Sequence, residues 1–313
     1  MAGGAHLSVL IVSDDVRAAL ADGGGAVALE TSVIGQGLPH PRNLECIERM
    51  SGAIRAAGAE PAWIGTVDGL LKVGLSSDEL ERFAQPGNAV KVARRDLPMA
   101  VATGALGATT VSATIWAARA AGVVVGATGG IGGVHPGDGD VSADLLELAR
   151  TPVMLVCSGP KSIIDAAATT ERLEELGVAL VGYGVDRLPW FLARETDVEL
   201  EHRVDLPSEA ARLVTALTDL GAESAILLCN PIPSEDAIDA EEVAAASREA
   251  EERAEREGVH GKARTPYLLA ALAEITGGRS LDANLALLEA NADLAAAVAA
   301  QIASGRSAHE VVE

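Results

Sequence analysis

With 313 residues, 49% of them hydrophobic, the chain can bury a large core, as one large α/β domain or two small ones. Aromatic residues make up only 2%, so that core must be built from Ala, Val, Leu and Ile. A formal net charge of −21, with no basic cluster larger than Arg94-Arg95, argues against a nucleic-acid polymer as partner. No run reaches the roughly 18 uninterrupted apolar residues of a membrane span, and no basic stretch precedes an apolar one at the N-terminus, so neither a membrane segment nor a signal peptide is expected.

In chain order, residues 1–25 read as a variable leader ending in Gly23-Gly24-Gly25. Strand-like apolar runs follow at 26–29, 62–66, 89–92, 99–103, 123–127, 153–157, 179–183 and 225–229. Between them lie helical patterns at 43–57, 110–121, 142–150, 170–176 and 208–220. This alternation predicts an α/β fold: a mixed, mostly parallel central sheet covered by helices on both faces. After Asn230 the pattern changes to long, acidic, Ala-rich helices at 240–257, 266–275 and 280–303. No repeat or linker interrupts the chain, so a single domain is expected over 1–313, with 231–313 a helical part packed on the same body. Cys46, Cys157 and Cys229 are odd in number and widely spaced, which suits reduced thiols in a cytoplasm.

Lys161 stands out for chemistry. It closes Val153-Met154-Leu155-Val156-Cys157-Ser158-Gly159-Pro160-Lys161, a strand-length run followed by a short turn, and a helix-like stretch, 162–168, follows it. Strand-to-helix junctions are where α/β proteins place ligands, and a lysine there can act as a nucleophile where desolvation or a nearby cation lowers its pKa. A surface lysine or a passive phosphate contact is the plainer reading. The segment Gly126-Ala127-Thr128-Gly129-Gly130-Ile131-Gly132-Gly133-Val134-His135 lacks the spacing of a dinucleotide fingerprint and the Gly-Lys-Ser/Thr of a P-loop, but its glycines suit an anion-binding nest; a flexible turn is the alternative. In Asp138-Gly139-Asp140-Val141-Ser142-Ala143-Asp144, Ser142 reads as a helix N-cap with Asp144 in the first turn, and the carboxylates beside the glycine loop can hold a divalent ion. Glu30, at the tip of the first strand, suits a general acid or a structural cap. Lys91 suits a phosphate contact or a solvated charge cluster.

Taken in order, Glu30-Thr31-Ser32, Gly37-Leu38-Pro39-His40-Pro41-Arg42-Asn43, Lys72-Val73-Gly74-Leu75, Arg95-Asp96-Leu97-Pro98, Gly107-Ala108-Thr109-Thr110-Val111, the Thr128–His135 loop, Ser142-Ala143-Asp144-Leu145, Lys161-Ser162 and Asn230-Pro231-Ile232-Pro233 resemble the pseudouridine-5′-phosphate glycosidases, a family that includes the indigoidine synthase A type proteins. The resemblance runs over nearly the whole chain. It implies a three-layer α/β/α protein, a homotrimer with a manganese ion, Mn²⁺. It also implies reversible cleavage of the carbon–carbon bond between C1′ of ribose 5-phosphate and C5 of uracil. By resemblance, Lys161 matches the imine-forming nucleophile and Glu30 the proton donor. Lys91, the backbone around Val111, Ser142, Ala143, Asp144 and the late polar Asn284 match substrate contacts, and Asp140 matches the metal ligand. Thr128 and His135 belong to the matching glycine loop, where Thr128, Ser142 and a lysine are expected to anchor the phosphate.

The chemistry is coherent. A C-glycosidic bond offers no oxygen or nitrogen leaving atom to protonate, so two-carboxylate glycosidase chemistry faces a poor leaving group. A lysine imine at C1 supplies the missing electron sink. The chain departs from the family in four places. Glu30-Thr31-Ser32 replaces Glu-Ser-Thr, Gly35-Gln36-Gly37 replaces Ser-His-Gly, the loop from His135 to Asp140 is shorter, and Pro160 replaces a small residue. These changes fall on the pocket wall and leave the amine, the acid and the metal aspartate in place. The identity of the acceptor therefore stays open. A C-glycosynthase joining ribose 5-phosphate to a different, aromatic carbon acceptor is the runner-up, and a non-catalytic sugar-phosphate-binding protein is the reading from another class.

Overall fold

The computed structural model describes residues 8–21, 25–137 and 140–310, with side chains described as far as residue 304. Its elements run β1 (Leu10–Val12), α1 (Asp14–Ala21), β2 (Ala26–Glu30), α2 (Arg42–Ala56), β3 (Glu60–Val67), β4 (Leu70–Val73), α3 (Ser77–Ala84), β5 (Val90–Val92), α4 (Leu97–Thr103), β6 (Gly107–Thr109) and α5 (Val111–Ala120). They continue with β7 (Val125–Ala127), α6 (Ala143–Leu148), β8 (Met154–Cys157), α7 (Ala166–Glu175), β9 (Ala179–Tyr183), β10 (His202–Val204), α8 (Pro207–Asp219), β11 (Ile226–Cys229), α9 (Ala240–Glu257), α10 (Arg264–Ile275) and α11 (Arg279–Glu310).

The strands form one sheet in the order β1-β4-β3-β2-β7-β8-β11-β9-β10, with β6 joining β3 and β5 to it. Pairing is parallel except where β3 meets β4 and β6. The apolar runs alternate between two buried faces, as the period of two in a strand requires. Val27, Leu29, Met154 and Val156 pack with Leu288 and Ala292 of α11. Ala26 and Ala28 face Ala113 and Ala117 of α5, and Leu155 and Cys157 face Ile115, Leu145 and Leu173. Strands covered on both sides have no polar face, which is why they read as continuous apolar runs. The fold is therefore the expected three-layer α/β/α with a mixed, mostly parallel sheet.

Three expectations are corrected. Residues 99–103 belong to helix α4, not to a strand. Pro98 sits in its first turn and Gly104, at φ +66°, ends it in the left-handed conformation; a five-residue apolar run carries no period that separates helix from strand, and these end signals decide it. The leader is not all variable sequence, because Leu10–Val12 pair in parallel with Leu71–Val73 and Val16 of α1 is fully buried. The helix after Lys161 starts later than expected: α7 opens at Ala166, with the Asp165 carboxylate accepting from the Ala168 amide at 3.0 Å. Short strands β4, β6 and β10 and helix α3 went unread in the sequence.

Helix α11 is long and apolar enough to cross a membrane by length and composition, yet over half of that stretch is buried within the protein against α2, α8 and β7. Its Asn291 is fully buried. The amide nitrogen donates to the Thr128 carbonyl at 2.8 Å and to Ser158 Oγ at 3.0 Å, and its oxygen accepts from Asn230 at 3.0 Å. One side chain thus ties the ends of β7, β8 and β11 together. Asn291→Ala leaves a buried carbonyl without its donor and is expected to cost about 2–3 kcal/mol, read as a lower urea midpoint at unchanged m-value.

Candidate active site

Strands β2, β7 and β8 lie side by side and parallel, with Leu29 opposite Ala127 and Ala127 opposite Val156. Their carboxyl ends therefore stop at one level, where ligand crevices of open α/β sheets form. On β3, the edge paired with β2 as far as Ile64 is taken over by β6 from Gly65. Buried hydroxyls manage the handover: Thr31 and Thr109 both donate to the Ile64 carbonyl, at 2.7 and 2.6 Å. The crevice holds a pocket of about 210 Å³.

Glu30 is buried at the tip of β2. Its carboxylate accepts from Thr128 Oγ1 at 2.5 Å and from the Ser32 hydroxyl. Lys161, at the end of the turn after β8, donates from Nζ to the Gly130 carbonyl at 2.7 Å, while its amide donates to Ile131 at 3.1 Å. Gly159 makes the turn possible at φ +77°, where a Cβ would run into the Pro189 carbonyl. Lys91 enters from β5. Burial pushes its amine below the ordinary lysine value; the Lys161 cation adds to this, and the Asp144 and Glu30 carboxylates oppose it.

Part of the glycine loop is a frame. The amides of Thr128, Ile131, Val134 and His135 donate to Val156, Gly159, Thr169 Oγ1 and Asp140, and that of Gly132 donates to an Asp144 oxygen at 3.1 Å. The other Asp144 oxygen accepts from the Ser112 amide at 3.0 Å, so this carboxylate cross-links the loop to α5. Ser142 caps α6 as expected, accepting from the Asp144 amide at 3.2 Å. Phe191 presses on Gly129 and Gly130 from below, which accounts for two of the glycines.

The pocket brings together Glu30, Lys161, Lys91, Thr128, His135, Asp140, Ser142, Ala143, Asp144 and Asn284. At Val111 the expected contact is through the backbone: its side chain is turned into the core with Ile115 and Leu145, and the neighbouring Thr110 lines the pocket. Asp138 lies outside the described residues. Ser32, Gln36, Arg95, Asp96 and Lys262 also line the pocket; Ser32 and Gln36 lie in segments expected on its wall, Arg95 and Asp96 in a matching motif given no role, and Lys262 was missed. Ser32 and Gln36 follow Glu30 closely, a legible signal, whereas nothing in the acidic stretch around Lys262 marked it. Lys262 crosses the mouth to Asp96 at 2.7 Å, and although burial works against the Asp96 carboxylate, Lys262 and the Ala93 amide hold it below its ordinary range. Among the described residues no group of three or more His, Cys, Asp or Glu side chains is placed to hold a metal.

A parallel-stranded α/β/α body with a lysine–carboxylate pocket at its strand ends defines the class. Within that class, the chain belongs to the indigoidine synthase A like protein family, which matches residues 15–301. A pseudouridine-5′-phosphate glycosidase of Gemmatimonas aurantiaca is 50% identical over 92% of this chain and 94% of its own. One of Saccharopolyspora erythraea is 47% identical over 95% and 99%. Among solved structures, an indigoidine synthase A-like protein from Thermotoga maritima superposes with a TM-score of 0.86 at 37% identity, covering 94% of this chain and 97% of that one. The prealnumycin C-glycosynthase AlnA, in complex with ribulose 5-phosphate, gives 0.87 at 40% identity, covering 96% and 99%.

Because folding disfavours the charged form of Lys91, its buried ammonium costs stability at neutral pH, and the cost fades as pH rises toward and past the ordinary lysine value of 10.5, well above which the amine is neutral in both states. Lys91→Met is therefore expected to raise the urea midpoint near pH 7, with the gain shrinking by about pH 10.

Proposed function

We propose that this protein is a pseudouridine-5′-phosphate glycosidase acting through a lysine imine. The observation that carries the reading is the meeting of Lys161 and Glu30 in one pocket with Lys91 beside them. Its high-identity relatives bear the glycosidase name over nearly the whole chain. The amine of Lys161 attacks C1′ of the ribose. The C1′–O4′ bond breaks and Glu30 gives its proton to O4′, opening the ring. The Glu30 carboxylate then takes a proton from the newly bonded nitrogen, and the lone pair so freed expels the base: the C1′–C5 bond breaks, its electrons go to the uracil ring, C5 takes the proton from Glu30, and C1 becomes an iminium on Lys161. Water releases ribose 5-phosphate, and the reverse sequence forms the bond. Ser32 and Thr128 aim the Glu30 carboxylate, and the Gly130 carbonyl aims the Lys161 amine. Lys91 and the Ser142 hydroxyl, with His135 and Asn284, anchor the phosphate and align C1 with the amine.

For manganese, Asp140 is the donor on the pocket rim. One hard oxygen donor fits an ion that keeps most of its water. A bound ion there orders water and polarises the base carbonyl. The trimer and the cytoplasm belong to the same reading; three buried free thiols suit a reducing compartment, and light scattering reads the assembly. The likeness to AlnA favours one second reading, coupling of ribose 5-phosphate to another carbon acceptor.

Incubation with ribose 5-phosphate and borohydride is expected to leave a mass adduct on Lys161, and adding uracil with Mn²⁺ to yield pseudouridine 5′-phosphate. An adduct without product points to another acceptor, and neither signal leaves only a binding role. Lys161→Arg is expected to lose at least about 10³-fold in turnover while still binding the sugar phosphate, and Glu30→Gln about 10²–10⁴-fold. Asp140→Asn is expected to abolish the response of the rate to added Mn²⁺ after chelation.

A further inference from the structure

Lys91, Lys161 and Lys262 line the pocket among the described residues, and Lys262 alone has no part in the imine mechanism. It stands in the short turn Gly261–Ala263 that joins α9 to α10. The turn is pinned close by. Arg264, two residues on, is buried and pairs with Glu251 of α9 at 2.6 Å. Leu268 and Ala271 of α10 pack on Ile163 and Ile164, which follow directly on Lys161 in the chain. One corner of the protein thus backs the Lys161 turn and carries Lys262 to the mouth of the same pocket. The backbone there is fixed, and the part able to turn is the long Lys262 side chain, which is 52% exposed.

Its ammonium reaches across the mouth to Asp96 at 2.7 Å. The same Asp96 oxygen accepts from the Ala93 amide at 3.0 Å, a bond that holds the turn before α4 and needs an acceptor but no charge. An ion pair with one partner this open to water contributes little to stability, so its exchange is cheap. Lys262 also acts inward. Burial and the Lys161 cation come first in pushing the Lys91 amine below its ordinary value, and the Lys262 cation adds to them. Lys262 therefore lies within electrostatic reach of Lys91 as well as of Asp96. A phosphate near Lys91 brings close to two negative charges and three acceptor oxygens, more than one ammonium can meet and more than the single charge of Asp96 offers to Lys262.

We propose that Lys262 is a second phosphate contact: it leaves Asp96 for the 5-phosphate of the bound sugar, opposite Lys91, and Asp96 is a placeholder that the phosphate displaces. This rests on the sugar-phosphate reading of the pocket and deepens it. Two cations from separate elements, β5 and the α9–α10 corner, then grip the phosphate from two sides and fix C1 against the Lys161 amine. The site selects a phosphorylated sugar over a neutral one, because a neutral sugar gives Lys262 no reason to leave its carboxylate. Asp96, once released, keeps its bond to the Ala93 amide.

The test is the dissociation constant of ribose 5-phosphate, measured by titration calorimetry in phosphate-free buffer for the wild type, Lys262→Met, Lys262→Arg and Asp96→Asn. Lys262→Met is expected to raise Kd about 10- to 100-fold, and Lys262→Arg, which keeps the cation, to recover most of that loss. Asp96→Asn keeps an oxygen for the Ala93 amide and drops the competing charge, so it is expected to lower Kd about 2- to 5-fold. The opposite signs are the signature, since a pair that only braced the wall would weaken binding when either partner is changed. An unchanged Kd in Lys262→Met overturns the proposal. So does an unchanged or raised Kd in Asp96→Asn, an arm that stands even if Lys262→Met does not fold. Failure of the wild type to bind ribose 5-phosphate sinks the sugar-phosphate reading itself. Binding without a borohydride adduct on Lys161 sinks only the imine step, and the Kd values still decide the role of Lys262.

Discussion

The parallel register of β2, β7 and β8 is the constraint on which the site depends. Because Leu29, Ala127 and Val156 lie in line across these strands, the residues just beyond them emerge at the same height. Glu30, Thr128 and the Ser158–Lys161 turn come from distant parts of the chain and meet only there. A slip of one residue in either pairing would exchange the two faces of a strand and bury the wrong side chains. With both faces packed, that slip would cost the core, so packing energy in the sheet enforces the geometry of the site.

Beyond the strand tips, backbone polarity is spent on rigidity rather than on ligand. The amides of Thr128, Ile131, Gly132, Val134 and His135 in the glycine loop point inward, to neighbouring carbonyls, to Thr169 and to the Asp144 carboxylate. The Gly130 carbonyl holds the Lys161 amine, and Asn291 of α11 holds the loop from the opposite face. This arrangement suits a reaction in which an amine must meet one carbon atom at close range, since small misplacements are costly.

Charge is distributed to the same end. The chain carries a net −21, yet Lys91, Lys161, Arg95 and Lys262 all line one pocket. Glu30, Asp96, Asp140 and Asp144 line it too, so the cleft balances its charges on an otherwise acidic body, which admits a small anionic ligand there and leaves the outer surface repulsive to polyanions. Asp96 tempers the field at the mouth by pairing with Lys262, whereas Lys91 deeper inside feels the full effect of burial and of its lysine neighbour.

The amino-acid sequence by itself determined the layer order, because continuous apolar runs alternating with amphipathic ones admit only a sheet covered on both faces. It also determined the chemistry-bearing residues that sit at strand ends, since Glu30 and Lys161 each follow a legible apolar run, whereas Lys91 lies within the short β5. Short elements were not legible: residues 99–103 are too few to show a period, and β6 is three residues long with a glycine in it. The tertiary structure alone decided which amides of the glycine loop were spent, that Val111 turns inward, and that Lys262 arrives from a distant helical hairpin. These are properties of contacts between segments far apart in the chain, and no local pattern of residues encodes the partner that a side chain will meet.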